Sequence, residues 1–81
     1  MFIILYHRYI VNVKEFGAPG DGTLCTDAVN RAIKSLAESG GTLFFPNGIY
    51  VTGTLFLESD ITLCFDKHAR LEGSKDIKDY H

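Results

Sequence analysis

The pattern of apolar and polar positions changes period twice along the chain. From Ile10 to Phe16 it alternates, with Ile10, Asn12, Lys14 and Phe16 on one side and Val11, Val13 and Glu15 on the other, which predicts a short strand. Gly17-Ala18-Pro19-Gly20-Asp21-Gly22 then reads as a loop, because its glycines permit positive φ and Pro19 lacks a backbone donor. From Asp27 to Glu38 the period lengthens: Ala28, Val29, Ala32, Ile33, Leu36 and Ala37 share one helical face, and Arg31, Lys34, Ser35 and Glu38 take the other. Thr26 or Asp27 can cap the first turn through a side-chain oxygen, and Gly40 supplies a left-handed stop.

After Gly41 the chain breaks into short β-rich words: 42–45, 49–51, 54–57, 61–65 and 69–72. Strands so closely spaced suit either a meander or the turns of a parallel solenoid. The solenoid is favoured twice over. The connectors are not two-residue hairpin turns flanked immediately by strands, and Thr54-Leu55-Phe56-Leu57 and Ile61-Thr62-Leu63 echo Thr42-Leu43-Phe44-Phe45.

Composition narrows the setting. The 81 residues are 46% apolar and 22% charged, which fits one small globular unit. Eight Lys and Arg against ten Asp and Glu leave a net charge of -2 with no run of either sign, so a nucleic-acid partner is not expected. The longest apolar run, Phe2 to Tyr6, is far short of the roughly 20 residues that cross a bilayer, so no membrane partner is expected. A secretory signal places basic residues before its apolar run, whereas His7 and Arg8 follow it here. Residues 1–9 are therefore set apart as a leader, an ordinary strand or a disordered segment, and residues 10–81 as part of one domain.

The candidate chemistry is thin. Gly17 and Gly22 have the spacing of the two P-loop glycines, yet Thr23-Leu24 stands where the lysine and hydroxyl belong, so a nucleotide reading fails. The dinucleotide fingerprint fails as well, since the glycines run Gly-x-x-Gly-x-Gly. His7, His68 and His81 share no metal-ligand spacing with Cys25 or Cys64, and neither a metal nor a cofactor is expected. Cys25 lies at a helix start, where the dipole can lower a thiol pKa, but a bystander thiol is the better reading. Cys64 lies in a strand and is expected to behave as a small apolar residue. Asp21 is expected to bond nearby backbone amides. Asp60, Asp66, Glu72, Asp76 and Asp79 read as solvated turn residues. Tyr50, Phe56 and Phe65 could stack on sugar rings if exposed, but their strand spacing places them in the core.

Several of these words occur together in a known family. Asn12-Val13-Lys14-Glu15-Phe16-Gly17-Ala18-Pro19-Gly20-Asp21-Gly22, then Thr26, Ala32-Ile33 and Gly40-Gly41-Thr42-Leu43-Phe44-Phe45-Pro46-Asn47-Gly48-Ile49-Tyr50, resembles the amino-terminal region of pectin-lyase-like β-helix proteins. The stretches 52–63 and 71–80 narrow the resemblance to glycoside hydrolase family 28, the polygalacturonases and their relatives. It runs from Ile10 to Tyr80 and covers only the first part of a family member. Two departures stand out: the loop from Gly22 to Thr26 is a residue shorter than usual, and Cys25 replaces a commonly polar residue.

The resemblance implies a mainly β fold, an incomplete right-handed parallel β-helix made of first coils, with the helix covering the open amino-terminal end of the core. A solenoid's terminal coil needs such a cover. It also implies a polysaccharide partner, galacturonan, and hydrolysis with inversion by separated carboxyl groups. The family's Asn-Thr-Asp, Asp-Asp, Gly-His-Gly and Arg-Ile-Lys motifs are all absent here; Arg31-Ala32-Ile33-Lys34 carries an inserted alanine on a helix. No catalytic, cofactor-binding or metal residue carries over, and the segment is expected to be inactive by itself. The family acts outside the cytoplasm, although this chain shows no clear export signal. Open strand edges would favour self-association. The competing readings are a non-catalytic β-helix module, carbohydrate-binding or of tailspike type, and a decayed reading frame.

Overall fold

A computed structural model describes residues 9–80. Six strands alternate between two sheets: β1 (Tyr9–Asn12), β3 (Gly41–Phe45) and β5 (Ile61–Phe65) form one, and β2 (Asp21–Leu24), β4 (Gly48–Thr52) and β6 (Ala69–Gly73) the other. Every pairing is parallel. A meander pairs consecutive strands in antiparallel fashion, so the solenoid-like alternative is the one the chain adopts. Gly41 stands beside Ile61 and Gly48 beside Ala69, so one coil of the stack takes about twenty residues. The expectation of a mainly β chain with parallel strands and one helix is met. Residues 1–8, most of the leader, lie outside the described residues.

The helix, α1 (Thr26–Ser35), arises as its period required: Ala28, Val29, Ala32 and Ile33 are buried, and Leu36 continues the same face. These residues join Val13, Ala18, Leu43, Phe45 and Tyr50 in one cluster. Phe45 packs edge-on to Tyr50, with ring centres 5.2 Å apart, and face-on to Phe65 at 4.5 Å. At the helix end Leu36 donates to Ile33 O, and Gly40, at φ 72°, donates to Leu36 O (2.8 Å). That left-handed turn suits glycine because no Cβ meets the backbone there.

Five expectations need correction. The strand expected from Ile10 to Phe16 stops at Asn12, whose side chain accepts the Lys14 amide (2.9 Å) and starts a 3-10 turn over Val13–Phe16. That competing side-chain bond is invisible to alternation. The loop expected through Gly22 ends sooner, because Asp21–Leu24 pairs with β4 across a register shift. Its four residues are all exposed, so no apolar pattern marks it. The helical turns end at Ser35 rather than Glu38, and the cap position is Cys25, with no side-chain cap bond. Thr26 instead accepts the Gly53 amide (2.8 Å). Finally, Thr54–Leu57 joins no strand ladder, and Asn30 explains why. Its amide donates to Thr54 O (3.0 Å) and accepts from the Phe56 N–H (2.9 Å), which reproduces with one side chain the pair of bonds a neighbouring strand would make.

Candidate functional site

The carboxylates are spoken for by local structure. Asp21 accepts the Thr23 amide (3.0 Å), as expected, and this bond holds its carboxyl below the usual range. Asp66 accepts the Lys67 amide (2.8 Å), and Asp76 accepts the Lys78 amide (3.0 Å) to start the 3-10 turn Ile77–Asp79. Glu72 pairs with Arg70 on the surface, and Asp79 accepts from the Ser74 hydroxyl. Asp60 sits in the turn before β5 at φ 64°, a conformation that aspartate tolerates better than most residues. Asp21, Asp66 and Asp76 thus shape the backbone beside them, while Glu72 and Asp79 are held by neighbouring side chains.

The basic and aromatic candidates separate in the same way. Arg31 donates from the outer helix face to Phe16 O (3.0 Å), which ties α1 to the preceding turn. His68 is exposed, and its backbone N–H is held by Asn47 (2.9 Å); His7 and His81 lie outside the described residues. Among the described residues no group of three His, Cys, Asp or Glu is placed to hold a metal ion. Tyr50 is fully buried and donates its hydroxyl to Pro46 O (2.8 Å), and burial pushes its pKa up. Phe56 and Phe65 depart from the core expectation, being 56% and 38% exposed.

The two thiols divide sharply. Cys25 is buried beside the start of α1, with Sγ 3.5 Å from Val51 O, and burial raises its pKa. Desolvation outweighs the lowering effect of the bond to Val51 O at this site. Cys64 lies in β5, as its alternation with Leu63 and Phe65 implied, and is exposed on the strand's outer face.

A cleft of about 330 Å³ lies at the amino end of α1, lined by Gly17, Leu24, Cys25, Thr26, Asp27, Ala28, Lys78 and Asp79. Its wall is set by a close approach. A Cβ on Gly53 would fall 1.6 Å from Asp79 O, and the Thr54 amide donates to that same oxygen (3.3 Å). The turn at Ile77–Asp79 can pack this closely on residues 53 and 54 only because residue 53 has no side chain. Sequence reasoning missed this cleft and the Thr26–Asn30 clamp beside it. The spacing of Thr26 and Asn30, one helical turn apart on a single stripe, was the available signal.

The comparisons with known proteins agree on one family. The family described as "Rhamnogalacturonase A/epimerase, pectate lyase-like" matches residues 10–72. The chain belongs to this pectate lyase-like family. It is 40% identical over 72 residues to an "Exo-poly-alpha-D-galacturonosidase" of Dickeya chrysanthemi, a match covering 88% of this chain and 12% of that protein. It is 38% identical over 71 residues to a "Probable polygalacturonase" of Vitis vinifera, covering 82% of this chain and 14% of the relative. The resemblance to polygalacturonases of glycoside hydrolase family 28 thus stands. The chain spans about an eighth of the length of these relatives. No solved structure gives a significant match.

Proposed function

We propose that this chain forms the first coils of a right-handed parallel β-helix belonging to a polygalacturonase-type hydrolase of galacturonan, with α1 covering the amino-terminal end of the core. The observation that carries this reading is the match to the exo-polygalacturonosidase, which takes in most of this chain and only 12% of the relative. The carboxylates here have local partners, backbone amides for Asp21, Asp66 and Asp76 and side chains for Glu72 and Asp79, so in this reading the acid and base of the reaction come from coils beyond the matched region. Inverting hydrolysis needs two carboxyl groups separated by a water, and the backbone-amide partners of Asp21, Asp66 and Asp76 favour turn-forming roles for them. The segment's part in catalysis is then architectural: it shields the core and fixes the register of the later coils. By itself it is inactive.

A chimera tests this. Residues 10–81 replace the aligned segment of the Dickeya chrysanthemi relative, and release of reducing ends from polygalacturonate is measured beside the 81-residue chain alone. The expected result is an active chimera and an inactive short chain. Turnover by the short chain, or a folded chimera without activity, would refute the reading.

A further inference from the structure

The corner between β3 and β4 sets side by side two residues that the fold requires for separate reasons. Gly48 has φ 150°, and a Cβ there would fall 2.5 Å from Gly20 O, so any side chain would collide with the backbone. Asn47 is exposed, and its Oδ1 accepts the His68 amide (2.9 Å) from the turn that leads into β6. Together they make an Asn-Gly pair. In such a pair the side-chain amide lies open to the following backbone nitrogen, because glycine puts no side chain in the way. The other two asparagines, Asn12 and Asn30, precede Val13 and Arg31, whose side chains hinder that approach.

The same corner holds the nucleophile away from its target. The Gly48 N–H donates to His68 O at a long 3.4 Å, while Asn47 Oδ1 is fixed by the His68 N–H. One residue of the neighbouring coil thus grips both reacting groups, and Gly48 stands beside Ala69 where the β4–β6 ladder begins. In a succinimide the Asn47 Cγ takes the place of the Gly48 amide hydrogen. The bond to His68 O must therefore break before the ring can close.

We propose that Asn47-Gly48 is a site of spontaneous deamidation, closed while β6 is docked on β4 and opened when β6 lifts away. In the open state hydroxide takes the Gly48 N–H proton and the nitrogen attacks Asn47 Cγ. The new C–N bond forms, the Cγ–Nδ2 bond breaks, and water returns a proton to the departing ammonia. Water then opens the ring. Attack at Cγ leaves aspartate, whose carboxylate still accepts from the His68 N–H. Attack at the Asn47 backbone carbonyl leaves isoaspartate, which adds a methylene to the main chain and displaces Gly48 from Ala69. The isoaspartyl chain cannot restore the ladder, so the reaction makes a transient opening permanent.

The full chain is aged at mildly alkaline pH across a urea series, and its tryptic peptides are analysed by mass. Residues 35–67 form one such peptide with Asn47 as its only asparagine, so replacement of NH2 by OH there reports this site alone. Loss of Asn47 should be at least about tenfold slower in the folded chain than in the unfolded one, the ratio set by the free energy of local opening. It should rise with urea in step with amide exchange across Ala69–Gly73, and Leu71→Gly should speed it without urea. Asn47→Asp should keep the parent's exchange pattern, whereas the isolated isoaspartyl chain should lose protection across β6. If Leu43 is unprotected without urea, residues 10–81 in the chimera supply the folded sample. Equal rates in folded and unfolded samples, a rate independent of β6 exchange, or an isoaspartyl chain with β6 protected as in the parent would each overturn the proposal.

Discussion

Asn30 offers the sharpest test of how the segment after β4 is held. Its side-chain amide makes two bonds to the backbone of that segment, to Thr54 O and from the Phe56 N–H. Asn30→Ala removes both. A net hydrogen bond contributes about 0.5–1.5 kcal/mol. Thr54 is half-buried while Phe56 is exposed, so water can replace the second bond more readily than the first. The expected loss is about 2 kcal/mol. For a chain of this size, whose total stability is on the order of 4–12 kcal/mol, that is a large share. In urea, with a slope of about 1 kcal/mol/M for a small domain, the midpoint should fall by about 2 M. Asn30→Asp should also destabilise, since its carboxylate can still accept from Phe56 but faces Thr54 O with no proton to give. Hydrogen exchange gives the local readout: the Phe56 amide should lose protection in Asn30→Ala while the Leu43 and Leu63 amides exchange as before at low denaturant. A Phe56 amide equally protected in both proteins, or a midpoint within about 0.3 M of the parent, would refute the clamp.

Other consequences arise from packing and ionisation. Gly53→Ala puts a methyl group into the Asp79 carbonyl and should displace the 3-10 turn at Ile77–Asp79, seen as faster proteolytic cleavage after Lys75 and Lys78. Phe45→Ala should cost about 3–5 kcal/mol in thermal or chemical unfolding, the range for a buried aromatic, and Phe65→Ala distinctly less in the chain alone because its ring is partly exposed. A disulfide reagent at neutral pH should label Cys64 rapidly and Cys25 only on unfolding, given their exposure. Because burial raises the Cys25 pKa, the folded state holds the thiol proton more tightly than the unfolded state. Its contribution is therefore complete below the ordinary thiol pKa and is lost as pH rises through the folded one; Cys25→Ala should flatten that alkaline fall in unfolding titrations.

Much of the architecture could be read from residue order, and the misses share one cause. The α1 face was legible because burial there follows the 3.6-residue period, and β3 because Gly41, Leu43 and Phe45 are buried while Thr42 and Phe44 between them are only half-buried. β2 was not legible, because Asp21-Gly22-Thr23-Leu24 buries nothing and is held by pairing with β4. Thr54-Leu55-Phe56-Leu57 has the composition of a strand, but a helix side chain supplies its partner bonds. Asn12 ends β1 through one side-chain acceptor. In each case a non-local or side-chain bond outweighed local propensity. The cleft at the amino end of α1 was hidden for the same reason: its walls come from Cys25 and Thr26 on one side and Lys78 and Asp79, far away in sequence, on the other.

The parallel register has a consequence for the order of assembly. β1 must wait for β3, with Tyr9 meeting Gly41 across the whole helical segment, whereas β3 meets β5 after a much shorter stretch, Gly41 to Ile61. The β1–β3 pairing closes a longer loop than the β3–β5 pairing, so it carries the larger share of the loop-closure cost. Each later coil lays its strands against edges already formed, as in a one-dimensional lattice that grows by addition at its end. Synthesis from the amino terminus at about 5–20 residues per second delivers roughly one coil every few seconds, slow enough for each to settle before the next emerges. The helix-bearing part is then made before the strands that pack on it, and substitutions at Val29, Ile33 or Phe45 should slow folding where those at Leu71 mainly hasten unfolding.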